Sequence, residues 1–298
     1  MTAQHLYYLF QCFFIYAFLG WCTEVAFAAF KEHRFVNRGF LNGPICPVYG
    51  FGVVAVIHFL TPLRSNLLLL YLGSAILVTA IEWLTGFILE KVFHNKWWDY
   101  SNMPLNLNGY VCLLFSLIWG VFCVFIIDVF HPLIDTLLSH IPFLVGIILV
   151  CILVIAGLSD LYVTASGILK LNKRLEKMQA IADELHQISD KLGESIYKRT
   201  ITAMEKQEEF KDTVSEKQEE FKSAISEKQE AISDTLADVS DEVKERIALL
   251  RRSYLENVKA TSHIQKRIMK AFPKMQSRNY KESFEDLRNK LKEMSLKK

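Results

Sequence analysis

Five apolar stretches dominate the first 165 residues of this chain and constrain its fold more than any other feature. They are Leu6 to Phe30, Val48 to Leu63, Leu67 to Phe93, Tyr110 to Phe130 and Ile141 to Thr164, each bounded by charges, Pro, Asn or Gly. A bilayer core about 30 Å thick takes roughly 20 apolar residues as helix, because backbone groups in lipid must bond to one another. The pattern therefore predicts an all-α, polytopic membrane bundle of about five spans. The second stretch is the weakest: it is short, and Gly50, Gly52 and His58 interrupt it, so a re-entrant hairpin stays open there.

The positive-inside rule gives the orientation. With five crossings and the N-terminus outside, Lys31, Arg34, Arg38, Lys91, Lys96 and the whole second half fall in the cytoplasm, and only Arg64 falls outside. The start, MTAQHLYYLF, lacks the basic region of a signal peptide, so the first span is expected to be retained in a multi-pass cell-membrane protein. All six cysteines lie in the apolar half without C-x-x-C or zinc-ligand spacing, and read as small apolar filler. No metal and no cofactor are expected.

Charge divides the chain in two. Six basic and eight acidic residues precede position 170, a balance of −2, whereas the remainder carries 28 against 24, a balance of +4. So many charges of both signs describe a solvated helix surface and argue against nucleic acid as a partner.

From Ser166 the periodicity becomes that of a long amphipathic helix, with Leu171, Leu175, Met178, Ala182, Leu185, Ile188, Leu192 and Ile196 on one stripe. An eleven-residue repeat follows, EKQEEFKDTVS (205–215), EKQEEFKSAIS (216–226), EKQEAISDTLA (227–237) and a degenerate DVSDEVKERIA (238–248). Eleven residues in three turns keep a stripe nearly straight. The flanks are as acidic as they are basic, which favours a partner helix over a membrane surface, and hence a homo- or hetero-oligomer through residues 171–268. Pro273 is expected to end this helix, with a last amphipathic piece from Tyr280 to Met294. The expected domains are a bundle over 1–165, a coiled-coil-like cytoplasmic helix over 166–273, and a short C-terminal helix over 274–298.

Charged side chains inside spans cost about 2.5–3.5 kcal/mol each and ask for a reason. At about 1.5 Å per residue, Glu24 lies about 27 Å below the outer start of its span and Glu82 about 22 Å below its own. Both belong to the cytoplasmic third, where Arg38 or Lys91 could neutralise them. Glu90 and Asp160, nearer the span ends, read as snorkelling acids. The outer half, apart from His58, reads as almost wholly apolar. The loops RGFLNGPICPVYGFG (38–52) and NKWWDYSNMPLNLNG (95–109) look folded against the bundle mouth. The candidate substrate-contacting set is Glu24, Arg38, Glu82, Trp98, Asp99, Tyr100, Asn106 and Asn108, a vestibule open to the cytoplasm, with no catalytic residue assigned.

The stretches FLGWCTEV (18–25), NRGFLNGPICPVYGFG (37–52), EWLTGFILE (82–90), WWDYSNMPLNLNGYVCL (97–113) and SLIWG (116–120), with the region of Asp160, resemble the ABC-transporter type IV (CmpB-like) family of bacterial membrane proteins. The resemblance covers roughly residues 5 to 175 and implies a cytoplasmic-membrane permease. No G-x-x-x-x-G-K-[ST] phosphate loop is present, so ATP-driven transport would require a separate ATPase subunit. Two other readings stay open. One is a membrane-embedded enzyme acting on a lipid-linked or phosphorylated substrate, disfavoured because H-E-x-x-H, G-x-S-x-G and a nucleophile beside a base are all missing. The other is a scaffold working through the tail.

Overall fold

The structure is a computed structural model that describes residues 2–213 and 241–296. Among these residues four helices are long and apolar enough to cross a membrane, and at most 22% of each one's most apolar window is buried within the chain. Phe18, Leu84, Ile88, Val121, Phe122, Phe125, Ile148, Ile152 and Ile155 all point outward. So much outward apolar surface on long helices fits lipid as the solvent.

Helix α1 (Ala3–Glu32) is capped by the Thr2 side chain, which accepts from the His5 N–H, and ends at His33 in the left-handed conformation. Helix α2 (Pro47–Leu60) with the 3₁₀ turn Thr61–Leu63 is the short element. It starts level with Ala17, where the Cys46 N–H donates to the Ala17 carbonyl at 2.9 Å, and finishes level with His5, where His58 and His5 share a hydrogen bond. α2 therefore runs antiparallel along the first half of α1 only. The two helices approach so closely that a Cβ on Gly20 would fall 2.4 Å from the Tyr49 ring, and one on Gly50 2.7 Å from the Phe13 carbonyl oxygen. These glycines set helix contact, so Gly50 marks packing rather than a break. Helix α3 (Leu67–Phe93) follows, capped by Asn66 and closed by His94 in the left-handed region.

The short strands β1 (Asn95–Lys96), β2 (Asn106–Leu107) and β3 (Val111–Cys112) organise the next loop, β2 and β3 forming a hairpin. Helix α4 (Leu113–Phe125) passes through a π turn at Ile126–Phe130, directly before Pro132, into α5 (His131–Ser139). The fourth span thus runs nine residues beyond the expected Phe130, to Ser139. The bundle core is formed by Cys12, Tyr16, Val53, Val56, Ile57, Leu70, Cys123, Ile127 and Leu138.

Helix α6 (Phe143–Thr213) carries the fifth apolar stretch through position 165 without a break. The chain forms two compact units, residues 1–173 with 261–298, and residues 174–260. In the second, α6 and the returning helix α7 (241–259) are tied by Arg246 to Glu184 at 2.6 Å, and Leu175, Met178, Leu250 and Val258 are buried. The base of the stripe expected to recruit another chain is covered by this chain itself. Of the eleven-residue repeat, residues 214–240 lie outside the described residues.

The helix expected to reach Pro273 instead breaks at 260–262. Ser262 caps a new helix, α8 (His263–Ala271), through a capping box with Gln265. Strand β4 (Gln276–Ser277) then pairs antiparallel with β1, and α9 (Lys281–Leu296) completes the first unit.

Candidate functional site

The site lies at the end of the bundle where the tail emerges. Glu24 sits two turns from the end of α1. Its return partner is placed by Asn37, which accepts from the Trp21 indole N–H at 2.8 Å and from the Gly39 N–H at 3.0 Å, while donating to the Asn42 carbonyl at 2.8 Å. This turn folds the chain back along α1 and brings the Arg38 guanidinium to Glu24 Oε2 at 3.0 Å. The Tyr49 hydroxyl donates to Glu24 Oε1 at 2.7 Å, so both carboxylate oxygens are engaged.

Loop 37–46 therefore lies alongside residues 17–24 of α1, filling the length that short α2 leaves empty. Irregular backbone at such depth needs its own partners. Asp160 accepts from the Asn42 and Gly43 N–H groups at 3.1 and 2.7 Å and from the Asn42 amide at 2.7 Å. Arg267 of α8 donates to the carbonyls of Gly39 and Phe40, both at 2.8 Å, and to Asn42 Oδ1 at 2.9 Å. Burial pulls the Arg267 guanidinium below its usual range, and the charge of Asp160 opposes that. Asp160 thus anchors a loop rather than snorkelling. Glu90 likewise is not a lone surface acid: Arg278 pairs with it at 2.7 Å, and this bond holds the guanidinium above its usual range.

Glu82, on α3, makes no hydrogen bond or ion pair among the described residues. It lies within electrostatic reach of Tyr49 and of Tyr100, and Tyr100 in turn within reach of Glu24 and Arg38. Burial first, then the charge of Glu82, push the Tyr100 phenol above its usual range, so it stays a protonated donor. Trp119 meets Tyr49 edge-on at 5.6 Å and Phe115 lies 5.0 Å from Tyr100.

The structure thus sets Glu24, Arg38 and Glu82 within electrostatic reach of Tyr100 and engages the polar groups of the other four residues of the expected set in hydrogen bonds of their own. Trp98 donates to the Tyr110 carbonyl at 2.7 Å. Asp99 accepts from the Ser101 N–H and hydroxyl and pairs with Lys96 at 2.9 Å; desolvation works to raise its pKa, but these bonds together hold it at about 2. Asn106 donates to Ser101 and Met103 carbonyls and accepts from Gly109, and Asn108 occupies the left-handed region while its amide oxygen accepts from Trp83 at 3.5 Å. These four fold the loop. Trp97, buried among Phe40, Phe93 and Phe272, pins it.

Tyr49, Arg267 and Arg278 join the site without having been singled out from sequence. Tyr49 stands in the PVYGFG motif, where its hydroxyl gives no periodic signal, and the two arginines are remote in sequence.

The opposite end corrects a further expectation, since it is not wholly apolar. The Tyr8 hydroxyl donates to Asp135 and contacts His131 Nε2 at 3.1 Å, and the Tyr16 hydroxyl lies 3.2 Å from His131 Nδ1. Because the fourth span extends to Ser139, His131 and Asp135 ride on helix rather than in a loop, and His131 turns inward. Arg64 pairs with Asp128 at 2.9 Å nearby in sequence to this group. No cluster of three or more His, Cys, Asp or Glu side chains suited to a metal ion occurs among the described residues.

The profile of the family described as "Putative ABC-transporter type IV" matches residues 11–165, more than half of the chain. No curated protein and no solved structure matches it.

Proposed function

We propose, for a chain that belongs to the ABC-transporter type IV family, the role of a permease-like subunit passing a small polar solute through a pocket at its tail-bearing end. Glu24, Arg38, Tyr49, Glu82 and Tyr100 would line that pocket. One observation carries the reading: Glu82 is an acid on a long apolar helix with no partner among the described residues, set against an acid fully satisfied by Arg38 and Tyr49. An uncompensated carboxylate within a span is costly and is retained where something else supplies the compensation.

The distribution of Lys and Arg supports the tail-bearing end as cytoplasmic and the N-terminus as external in a multi-pass cell-membrane protein. Energy would come from a separate ATPase, since the chain has no phosphate loop. The scaffold reading draws on the tail, and its oligomerisation through residues 171–268 would have to use surfaces other than the buried stripe base, Leu171, Leu175 and Met178. The enzyme reading, with Glu24 and Glu82 as acid and base and Arg38 holding an anion, draws less support because Arg38 and Tyr49 already engage both oxygens of Glu24.

The test is solute movement. Vesicles containing the full chain with its co-purifying proteins are loaded with a mixed metabolite extract, energised with ATP, and followed by mass spectrometry. Wild type is expected to change the level of at least one solute, and Glu82→Gln to abolish that change at equal membrane insertion. Equal movement in wild type and variant would remove the pocket from the reading, and no movement in either would refute the permease role.

A further inference from the structure

The pocket's charge and walls specify what it can hold. Glu24 is neutralised by Arg38 at 3.0 Å and receives the Tyr49 hydroxyl at 2.7 Å, which leaves Glu82 as its uncompensated charge. With both acids ionised the group Glu24, Arg38, Glu82 sums to −1. An anionic solute would meet Glu82 in repulsion and would have to break the Arg38–Glu24 pair to gain a cation, leaving Glu24 uncompensated as well. A cation needs no rearrangement, since Glu82 is already without a partner among the described residues.

Ring chemistry narrows the cation further. A Cβ on Gly86, one turn beyond Glu82, would fall 2.9 Å from the Tyr110 ring and 3.3 Å from Trp98, so Glu82 stands on a side of α3 turned to aromatic rings; Tyr49 and Tyr100 are within its electrostatic reach, in ring contact with Trp119 at 5.6 Å and Phe115 at 5.0 Å. Aromatic faces carry negative potential and attract diffuse cations of the ammonium type. Magnesium and calcium instead demand six or more oxygen ligands, and no three carboxylate, imidazole or thiol side chains converge for a metal among the described residues. From one free carboxylate on an aromatic-facing side of α3 we infer that the proposed pocket binds an organic ammonium ion, a protonated or quaternary amine. This rests on the permease reading only for the statement that the cation is cargo; binding stands without it.

The test uses the purified full chain in lipid nanodiscs, titrated with choline, tetramethylammonium and spermidine, and separately with inorganic phosphate and glutamate, up to about 10 mM at constant ionic strength. Saturable binding of at least one ammonium probe is expected, weakened at least about tenfold in Glu82→Gln and unchanged in Glu32→Gln, whose carboxylate pairs with Arg34 outside the pocket. Arg38→Gln should strengthen cation binding, because it releases Glu24. Preference of wild type for phosphate or glutamate, lost in Arg38→Gln, would overturn the inference, and so would the absence of binding by any ammonium probe to folded wild type. Should Arg38→Gln not fold, Glu82→Gln and the probe series decide alone. Uptake of the same probes into energised vesicles separates the two claims: ammonium binding without uptake refutes the permease and keeps the cation site, whereas uptake of an anion refutes the cation site and keeps the permease.

Discussion

Replacing Arg267 by Ala should release the C-terminal segment from the loop that carries Arg38. Its guanidinium makes three hydrogen bonds of 2.8–2.9 Å, to the Gly39 and Phe40 carbonyls and Asn42 Oδ1. Hydrogen bonds to charged groups are each worth about 1.5–3 kcal/mol, a gross value of roughly 4–9 kcal/mol. Desolvation of the guanidinium offsets several kcal/mol of that. After truncation the Phe40 carbonyl and Asn42 Oδ1, on half-buried residues, can regain other partners more readily than the carbonyl of buried Gly39, so the net cost should be about 2–4 kcal/mol. If this segment opens locally, each 1.4 kcal/mol is a tenfold change in the opening equilibrium, so exchange at residues 263–277 should accelerate about 30- to 1,000-fold. The assay is hydrogen exchange read by mass spectrometry on wild type and variant in nanodiscs. Lys270→Ala, on the same helix, is the internal standard: Lys270 is exposed and its side chain makes no hydrogen bond or ion pair among the described residues, and such surface changes stay within about 0.5 kcal/mol, less than about tenfold in exchange. If Arg267→Ala accelerates exchange no more than Lys270→Ala does, Arg267 does not clamp the loop.

Three further outcomes follow from the same geometry. Tyr8→Phe deprives Asp135 and His131 of a shared hydroxyl partner and should cost about 1–3 kcal/mol, read as a lowered thermal midpoint in detergent; an unchanged midpoint would mean water replaces the hydroxyl freely. Gly50→Ala would put a methyl 2.7 Å from the Phe13 carbonyl oxygen and ring, forcing α1 and α2 apart at about 1–3 kcal/mol, and a monodisperse variant as stable as wild type would contradict the close packing. Asp99, held at about 2 against an ordinary 3.8, contributes stability that is fully present above about pH 4 and is lost as pH falls through about 2. Protection of the Ser101 amide, corrected for intrinsic exchange, should therefore hold down to about pH 4 and decline below it; a loss already near pH 6 would assign that protection to another group.

Much of the architecture was legible because apolar length and helix periodicity are local signals. The spans begin and end close to the expected residues wherever a cap or charge marks them, as at Asn66 before α3 and His94 after it. The fourth span runs past Phe130 because Pro132, which in a regular helix would favour an end, is preceded by a π turn through which the helix continues. The break at 260–262 was locally encoded too, since Ser262 and Gln265 carry the spacing of a capping box, but a continuing polar, helix-compatible composition hid it. Depth arguments identified Glu24 and Glu82 as unusual, and the structure sets both within reach of Tyr100. Depth alone does not separate residues proposed to line a pocket from residues that fold a loop. Asp99 and Asn106 have the same chemistry in either role, and only the hydrogen-bond partners distinguish them. The Tyr8, Tyr16, His131 and Asp135 group escaped notice because its members stand up to 127 residues apart.

The C-terminal segment bears directly on the proposed pocket. Its contacts run in an unbroken covalent and hydrogen-bonded series: Arg267 grips the Gly39 carbonyl, Gly39 follows Arg38 directly, and Arg38 neutralises Glu24. On the other side Arg278 holds Glu90, two turns along α3 from Glu82, and β4 pairs with β1 at the start of the loop bearing Tyr100. Deleting everything after residue 175 would therefore remove the clamp together with the helical tail and confound the two. Excising only residues 174–260, the second compact unit, and closing the gap with a flexible linker keeps α8, β4 and α9 in place. If the pocket alone performs the function, this variant keeps solute movement and ammonium binding; if the helical tail performs it, binding survives and movement is lost. Loss of both, in a protein whose 261–296 segment still exchanges as slowly as in wild type, would mean that the pocket needs more than the contacts described above to hold Arg38 against Glu24.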